Sequence, residues 1–155
     1  MAVETVQRTL FPINGRSEVS CRKQYWLTPP DLYAKLDAEF HFDFDPCPYP
    51  LPEGFNGLEC EWGESNYVNP PFRKNDALDG RGPTAFAAKA IQQQGLGKTC
   101  VVVLPIYYSS HILLNAGAEF RVLGRIPWIE VETGEPSPRP GPVALFILHG
   151  NDHAA

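Results

Sequence analysis

Asn69-Pro70-Pro71-Phe72 places an amide, two prolines and an aromatic ring in four consecutive positions at the end of an apolar stretch. Proline cannot continue a sheet ladder and biases the residue before it toward extended geometry, so a strand must stop here on a rigid tip. Those residue types suit one chemistry well. An exocyclic amine on a base is a poor nucleophile, because its lone pair is delocalised into the ring. The side-chain oxygen of Asn69 and the carbonyl of Pro70 can each accept one of its hydrogens, drawing the nitrogen toward tetrahedral geometry and freeing the pair. Acceptors held in advance by Pro70 and Pro71 add no reorganisation at the transition state. Phe72 is placed to stack on the face of a base taken out of its helix. The plainer reading is a strand, a proline turn and a core phenylalanine. The full string after an apolar strand, in an alternating α/β pattern, favours the chemical one.

A second chemistry competes. Pro46-Cys47 follows a strand-like segment, and a thiolate there would attack a pyrimidine ring carbon. Lone cysteines are more often small buried apolar residues, and the Asn-Pro-Pro-Phe string has no part in that mechanism. Cys21, Cys47, Cys60 and Cys100 form no CxxC pair and have no histidine at ligand spacing, so no metal is expected. His41, His111, His149 and His153 likewise show no partner spacing. Arg73, Lys74 and Arg81 flank the proline string, and Arg125 and Arg139 lie in later turns; these are the candidate phosphate contacts.

The elements that must position these groups follow from pattern. Thr28 is placed as a helix N-cap, with Pro29 first in the helix and Asp31 as the acidic partner. Leu32, Leu36 and Phe40, with Tyr33 alongside, give that helix an apolar stripe. Residues 41–45 alternate as a short strand ending on Asp45, and residues 46–63 form an irregular Pro/Gly-rich loop. Residues 66–69 read as a strand, 73–83 as a polar loop, and 84–94 as a helix stopped by Gly95 and Gly97. Residues 101–104 are an uninterrupted apolar strand, typical of a sheet buried on both faces. A helix over 109–117, strands over 120–123 and 126–131, a loop over 132–142 with four prolines, and a last strand over 143–148 complete the chain.

Alternating strands and helices predict an α/β fold: a class I-like (Rossmann-like) sheet, mostly parallel, with late antiparallel strands. Ligands of such sheets collect at the carboxyl ends of strands, which groups Asp45-Pro46, Asn69 to Phe72 and Leu104-Pro105 on one edge. The expected organisation is a flexible arm over 1–20, one domain over 21–150 and a short tail over 151–155. With 155 residues, 43% hydrophobic and 12% aromatic, the chain is long enough for a substantial core. No apolar run reaches the roughly 20 residues of a membrane helix, and no signal pattern opens the chain, so a cytoplasmic location and no membrane partner are expected. A net charge of −5 does not by itself favour nucleic acid, so DNA contact needs a local basic patch.

Over residues 25–148 the chain resembles the small phage-type DNA N-6-adenine methyltransferases. Trp26-x-Thr28-Pro29 resembles their opening WxTP element, and Phe44-Asp45-Pro46-Cys47 an aspartate-bearing strand end. Gly57-Leu58 with Trp62 resembles a GL…W segment, and Asn69 to Phe72 the NPPY/F string. Leu104-Pro105 resembles an LP strand end, and Gly124-Arg125-Ile126 a GR(I/L) element. Of these only the proline string is specific alone; their order is specific together. The resemblance implies S-adenosylmethionine as methyl donor and a flipped adenine of double-stranded DNA as acceptor. Transfer is then a direct displacement, with no covalent enzyme intermediate. Asn69, Pro70, Pro71 and Phe72 become the catalytic group. Thr28, Pro29, Asp45, Pro46 and Asn69 become the cofactor pocket, Asp45 facing the methionine ammonium. No obligate protein partner is implied, and a phage or prophage origin would place the protein in a bacterial host cytoplasm. The chain lacks the FxGxG loop common to S-adenosylmethionine sheets, and Asn56 stands where the family tends to carry an acid. Two alternatives stay open: the same transfer to cytosine's exocyclic amine, and a non-catalytic module that binds nucleic acid or a partner.

Overall fold

The apolar runs around Val102 and Leu145 demand cover on two faces, and among the described residues three helices and a small ribbon supply it. The computed structural model describes residues 26–71, 82–106, 110–138 and 141–151. In chain order the elements are β1 (Trp26–Leu27), α1 (Pro30–Phe40), β2 (Ser65–Val68), α2 (Pro83–Gly95), β3 (Thr99–Pro105), α3 (Ser110–Asn115), β4 (Glu119–Arg125), β5 (Ile129–Glu130) and β6 (Pro142–Leu148). Four strands form the main sheet in the order β2-β3-β6-β4, and β1 pairs with β5 in a separate two-stranded ribbon.

Strand β3 is the spine, and Val101, Val102 and Val103 are all fully buried. Because side chains alternate across a strand, its residues divide between two cores. Cys100, Val102 and Leu104, with Ala144, Phe146 and Leu148 of β6, pack under Phe86, Ala87 and Ala90 of α2 and Leu113 of α3. Val101 and Val103, with Tyr67, Leu145 and Ile147, pack under Leu36 of α1 and Trp128. The uninterrupted apolar run of β3 thus has the two-sided burial its sequence predicts.

The expected mostly parallel, Rossmann-like sheet does not form. Within the main sheet only β2 and β3 pair in parallel, while β6 runs antiparallel to both β3 and β4. The ribbon is antiparallel as well. Although α3 leads from β3 to β4, these two strands are not neighbours, because β6 inserts between them. The reason lies in side chains: β6 is buried from Val143 to Leu148, whereas β4 carries Glu119, Arg121 and Arg125 and must keep an edge in water. The segment expected as strand 41–45 reduces to a parallel bridge between Phe44 and Asn66, and the segment 126–131 to the short β5.

Helix α1 begins one residue later than expected. Pro29 occupies the N-cap, Pro30 the first turn, and no side chain caps the end. At its other end His41 is left-handed (φ 51°), its N–H reaching the Asp37 carbonyl at 2.8 Å, and the Asp37 carboxylate accepts from the Phe42 N–H at 2.9 Å. No helix among the described residues is long and apolar enough to cross a membrane.

Candidate functional site

Asn69 follows β2 directly, and its side chain is tied across the fold to a segment 43 residues earlier. Its Nδ2 donates to the Trp26 carbonyl at 2.9 Å and lies 3.5 Å from the Thr28 hydroxyl. Thr28 and Tyr67 share a hydrogen bond of 2.5 Å between their hydroxyls. Tyr67 lies in β2 and Asn69 one residue past its end, two positions on, and both side chains meet the segment of β1 and Thr28. Thr28 is 6% exposed and Tyr67 2%, so this hydroxyl pair is shielded from water, while Asn69 beside it is half-buried. Burial pushes the Tyr67 phenol up and keeps its proton on.

Thr28 therefore has a different task from the capping expected of it. Pro29 replaces it at the helix start, and the hydroxyl turns to Tyr67 and Asn69. Tyr67 and the Trp26 carbonyl were not singled out in the sequence. The signal for Tyr67 was there: a phenol inside an apolar strand needs a buried partner, and it shares the face of Asn69.

Asp45 comes to the same region from the neighbouring segment. The Tyr67 N–H donates to the Phe44 carbonyl at 3.0 Å, which lays the residue before Asp45 alongside β2. The Asp45 carboxylate accepts from the Cys47 N–H at 2.8 Å, and burial raises its pKa to about 7. Burial raises the Tyr33, Cys47 and Tyr67 groups, and the Asp45 charge adds to each shift, which places all three within its field. Among the described residues no cation pairs with it, so a cationic ligand group would find an uncompensated acid. Pro29 and Pro46 are buried beside these residues in sequence, as are Pro70 and Pro71 after Asn69. The Asp45-Pro46 and Asn69 strand ends are thus brought together, with Leu104-Pro105 on the strand next to β2.

The loop between them is built around close backbone contacts. Asn56 accepts from the Leu58 N–H at 3.0 Å and closes its own turn. The Gly57 carbonyl receives the indole N–H of buried Trp62 at 2.6 Å. The Asp43 carboxylate accepts from the backbone N–H groups of Glu64 and Ser65 at 3.1 and 3.0 Å. Glu61 pairs with Lys98 at 3.3 Å. Among the described residues no group of three or more His, Cys, Asp or Glu could hold a metal ion.

The rival thiolate loses ground here. Burial and the Asp45 charge push the Cys47 thiol well above its ordinary value, the reverse of what activates a nucleophile.

Phe72, Arg73, Lys74, Arg81 and Arg139 lie outside the described residues. Arg125 ends β4, which runs in the same direction as β2 and β3, so its backbone lies at the Asn69 end of the sheet. Three strand spacings, about 14 Å, separate them across the sheet, and Arg125 also lies about three residues further along the strand direction. The first part of the proline-rich loop folds back on β5, with the Ser137 N–H on the Trp128 carbonyl at 2.7 Å and Gly134 left-handed at the turn (φ 71°). This hairpin borders β1 and carries Glu130, Glu132 and Glu135, a poor surface for phosphate. The chain matches no protein-family model, no curated protein and no solved structure.

Proposed function

We propose that this protein transfers a methyl group from S-adenosylmethionine to the exocyclic amine of adenine in double-stranded DNA. The observation that carries the reading is the Asn69 amide, held by its nitrogen at the end of β2. With the nitrogen committed to Trp26, the planar group carries its oxygen on the other side, ready to accept from an amine. Asp45 supports the cofactor half: a half-buried acid without a described cationic partner suits the ammonium of a methionine moiety. Thr28, Pro29 and Pro46 would line that pocket, and Pro70 and Phe72 would complete the grip on the base. The cofactor supplies an activated methyl on a sulfonium leaving group, so the chain's part is binding, orientation and exclusion of water.

A non-catalytic binding module is the second reading, favoured by the net charge of −5 and the acidic hairpin beside β1. Methyl transfer from labelled S-adenosylmethionine to unmethylated DNA, with nucleosides identified by mass, decides between them. Methyladenine from the wild type and none from Asn69→Ala, which still binds cofactor, is the expected result. Methylcytosine would move the same chemistry to the other base. No product and no cofactor binding would leave the binding module in front.

A further inference from the structure

We infer, building on the amine-methylating reading, that the Trp26 carbonyl and the Thr28–Tyr67 hydroxyl pair lock the Asn69 amide in one orientation. Thr28 and Tyr67 are then positioning residues for amine capture, and the inward-facing carbonyl is the reason this site takes an amide and not a carboxylate at position 69.

A backbone carbonyl only accepts hydrogen bonds, and only the nitrogen end of the Asn69 side chain donates. The contact of 2.9 Å to Trp26 therefore selects one of the two amide orientations. The flipped amide would set two oxygens against each other in a half-buried place. The Trp26 carbonyl is itself anchored, because Trp26 pairs with Glu130 in the β1–β5 ribbon and that ribbon is closed by the hairpin behind it. Thr28 meets the same nitrogen at the outer limit of a hydrogen bond and is itself held by Tyr67, so the three side chains reinforce one arrangement. An ionised carboxylate at position 69 has no donor for Trp26. Only its protonated form reproduces the wild-type pattern, with the O–H on Trp26 and the remaining oxygen toward the substrate.

Two measurements on the full chain test this. The first does not depend on enzyme activity: the carboxyl of Asn69→Asp is titrated by carbon-13 NMR. It is expected to titrate above about 6, against an ordinary aspartate near about 3.9. A midpoint below about 5 overturns the locking, whatever the DNA assay shows. The second follows methyl transfer. Relative to wild type at each pH, turnover by Asn69→Asp is expected to recover at least roughly tenfold as pH falls from 8 to 6, as the donor is restored. Tyr67→Phe, a residue outside the proposed cofactor pocket, is expected to lower kcat by roughly tenfold with cofactor affinity changed much less; Thr28→Val is expected to lower kcat by a similar factor, and Thr28→Ser to restore most of that loss. A flat pH ratio, or kcat unchanged in both Tyr67→Phe and Thr28→Val, overturns the positioning role. A raised carboxyl midpoint in a protein that methylates no DNA would leave the locking standing and remove the proposed reaction.

Discussion

Gly57 lies so close to Pro46 that a Cβ built on it would stand 1.9 Å from the Pro46 carbonyl oxygen. Two segments of the irregular loop are thereby pressed backbone to backbone, next to the residue that follows Asp45. The Gly57 carbonyl is fixed from its other side by the Trp62 indole. Gly57→Ala must push apart main chain, which cannot rotate out of the way. It is expected to cost about 3 kcal/mol in chemical denaturation. Gly95→Ala, at a site with no atom near its added carbon, is the matched control and should be close to neutral.

Gly124 separates a different requirement from this one. Nothing crowds its missing side chain, but its φ is 76°, at the bulge where β4 shifts register between Val122 and Gly124. Gly124→Ala is expected to cost about 1 kcal/mol through backbone strain alone. Gly124→Asn should recover part of that, since Asn tolerates the left-handed region better. Thermal unfolding of the two variants measures the difference.

Asp45 ties stability to pH in an unusual direction for a carboxylate. Its pKa is about 7 in the folded chain against an ordinary 3.8, because burial disfavours the charge. Between those values the folded state holds a proton that the unfolded state has released, so this group's contribution falls as pH rises from about 4 to about 7 and levels off above. The loss is bounded at about 4 kcal/mol. In urea titrations across that range, Asp45→Asn should remove most of the decline. An unchanged slope would show that the decline belongs to other groups. If the acid meets a cationic cofactor group, binding should also release a proton below pH 7, measurable by calorimetry in buffers of different ionisation enthalpy.

Cysteine chemistry offers a check on the rival nucleophile. Cys100 is fully buried and its thiol is pushed up to about 12 by burial, and Cys47 is raised as well. Native-state alkylation at pH 8 should leave both unmodified by peptide mass analysis. Rapid labelling of Cys47 would revive the thiolate mechanism.

Much of the site's material was legible in one dimension. The proline string marks a strand end because Pro ends a ladder wherever it falls, and β2 does stop at Val68, just before Asn69. The apolar run of β3 reads as doubly buried because no polar side chain interrupts it. Helices α1 and α2 follow from stripe and stop signals, each to within a residue or two at either end. Asp45 and Asn69 could be grouped by the rule that strand ends collect ligands, and the bridge from Phe44 to Asn66 brings their segments together.

Other features were settled only when distant segments met. Which strands neighbour one another depends on the burial each gains from the others, so the charges of β4 and the apolar run of β6 separate edge from centre without by themselves giving the order β2-β3-β6-β4. The same holds for Thr28: its residue type fits a cap, and only the approach of Tyr67 and Asn69 turns its hydroxyl elsewhere. The amino-acid sequence by itself determined the residues with chemical capacity and the places where regular structure starts and stops, because those depend on backbone sterics and short-range periodicity. The tertiary structure decided strand order, the partner of each buried polar group and the facing of the Asn69 amide, because each requires contacts between residues tens of positions apart.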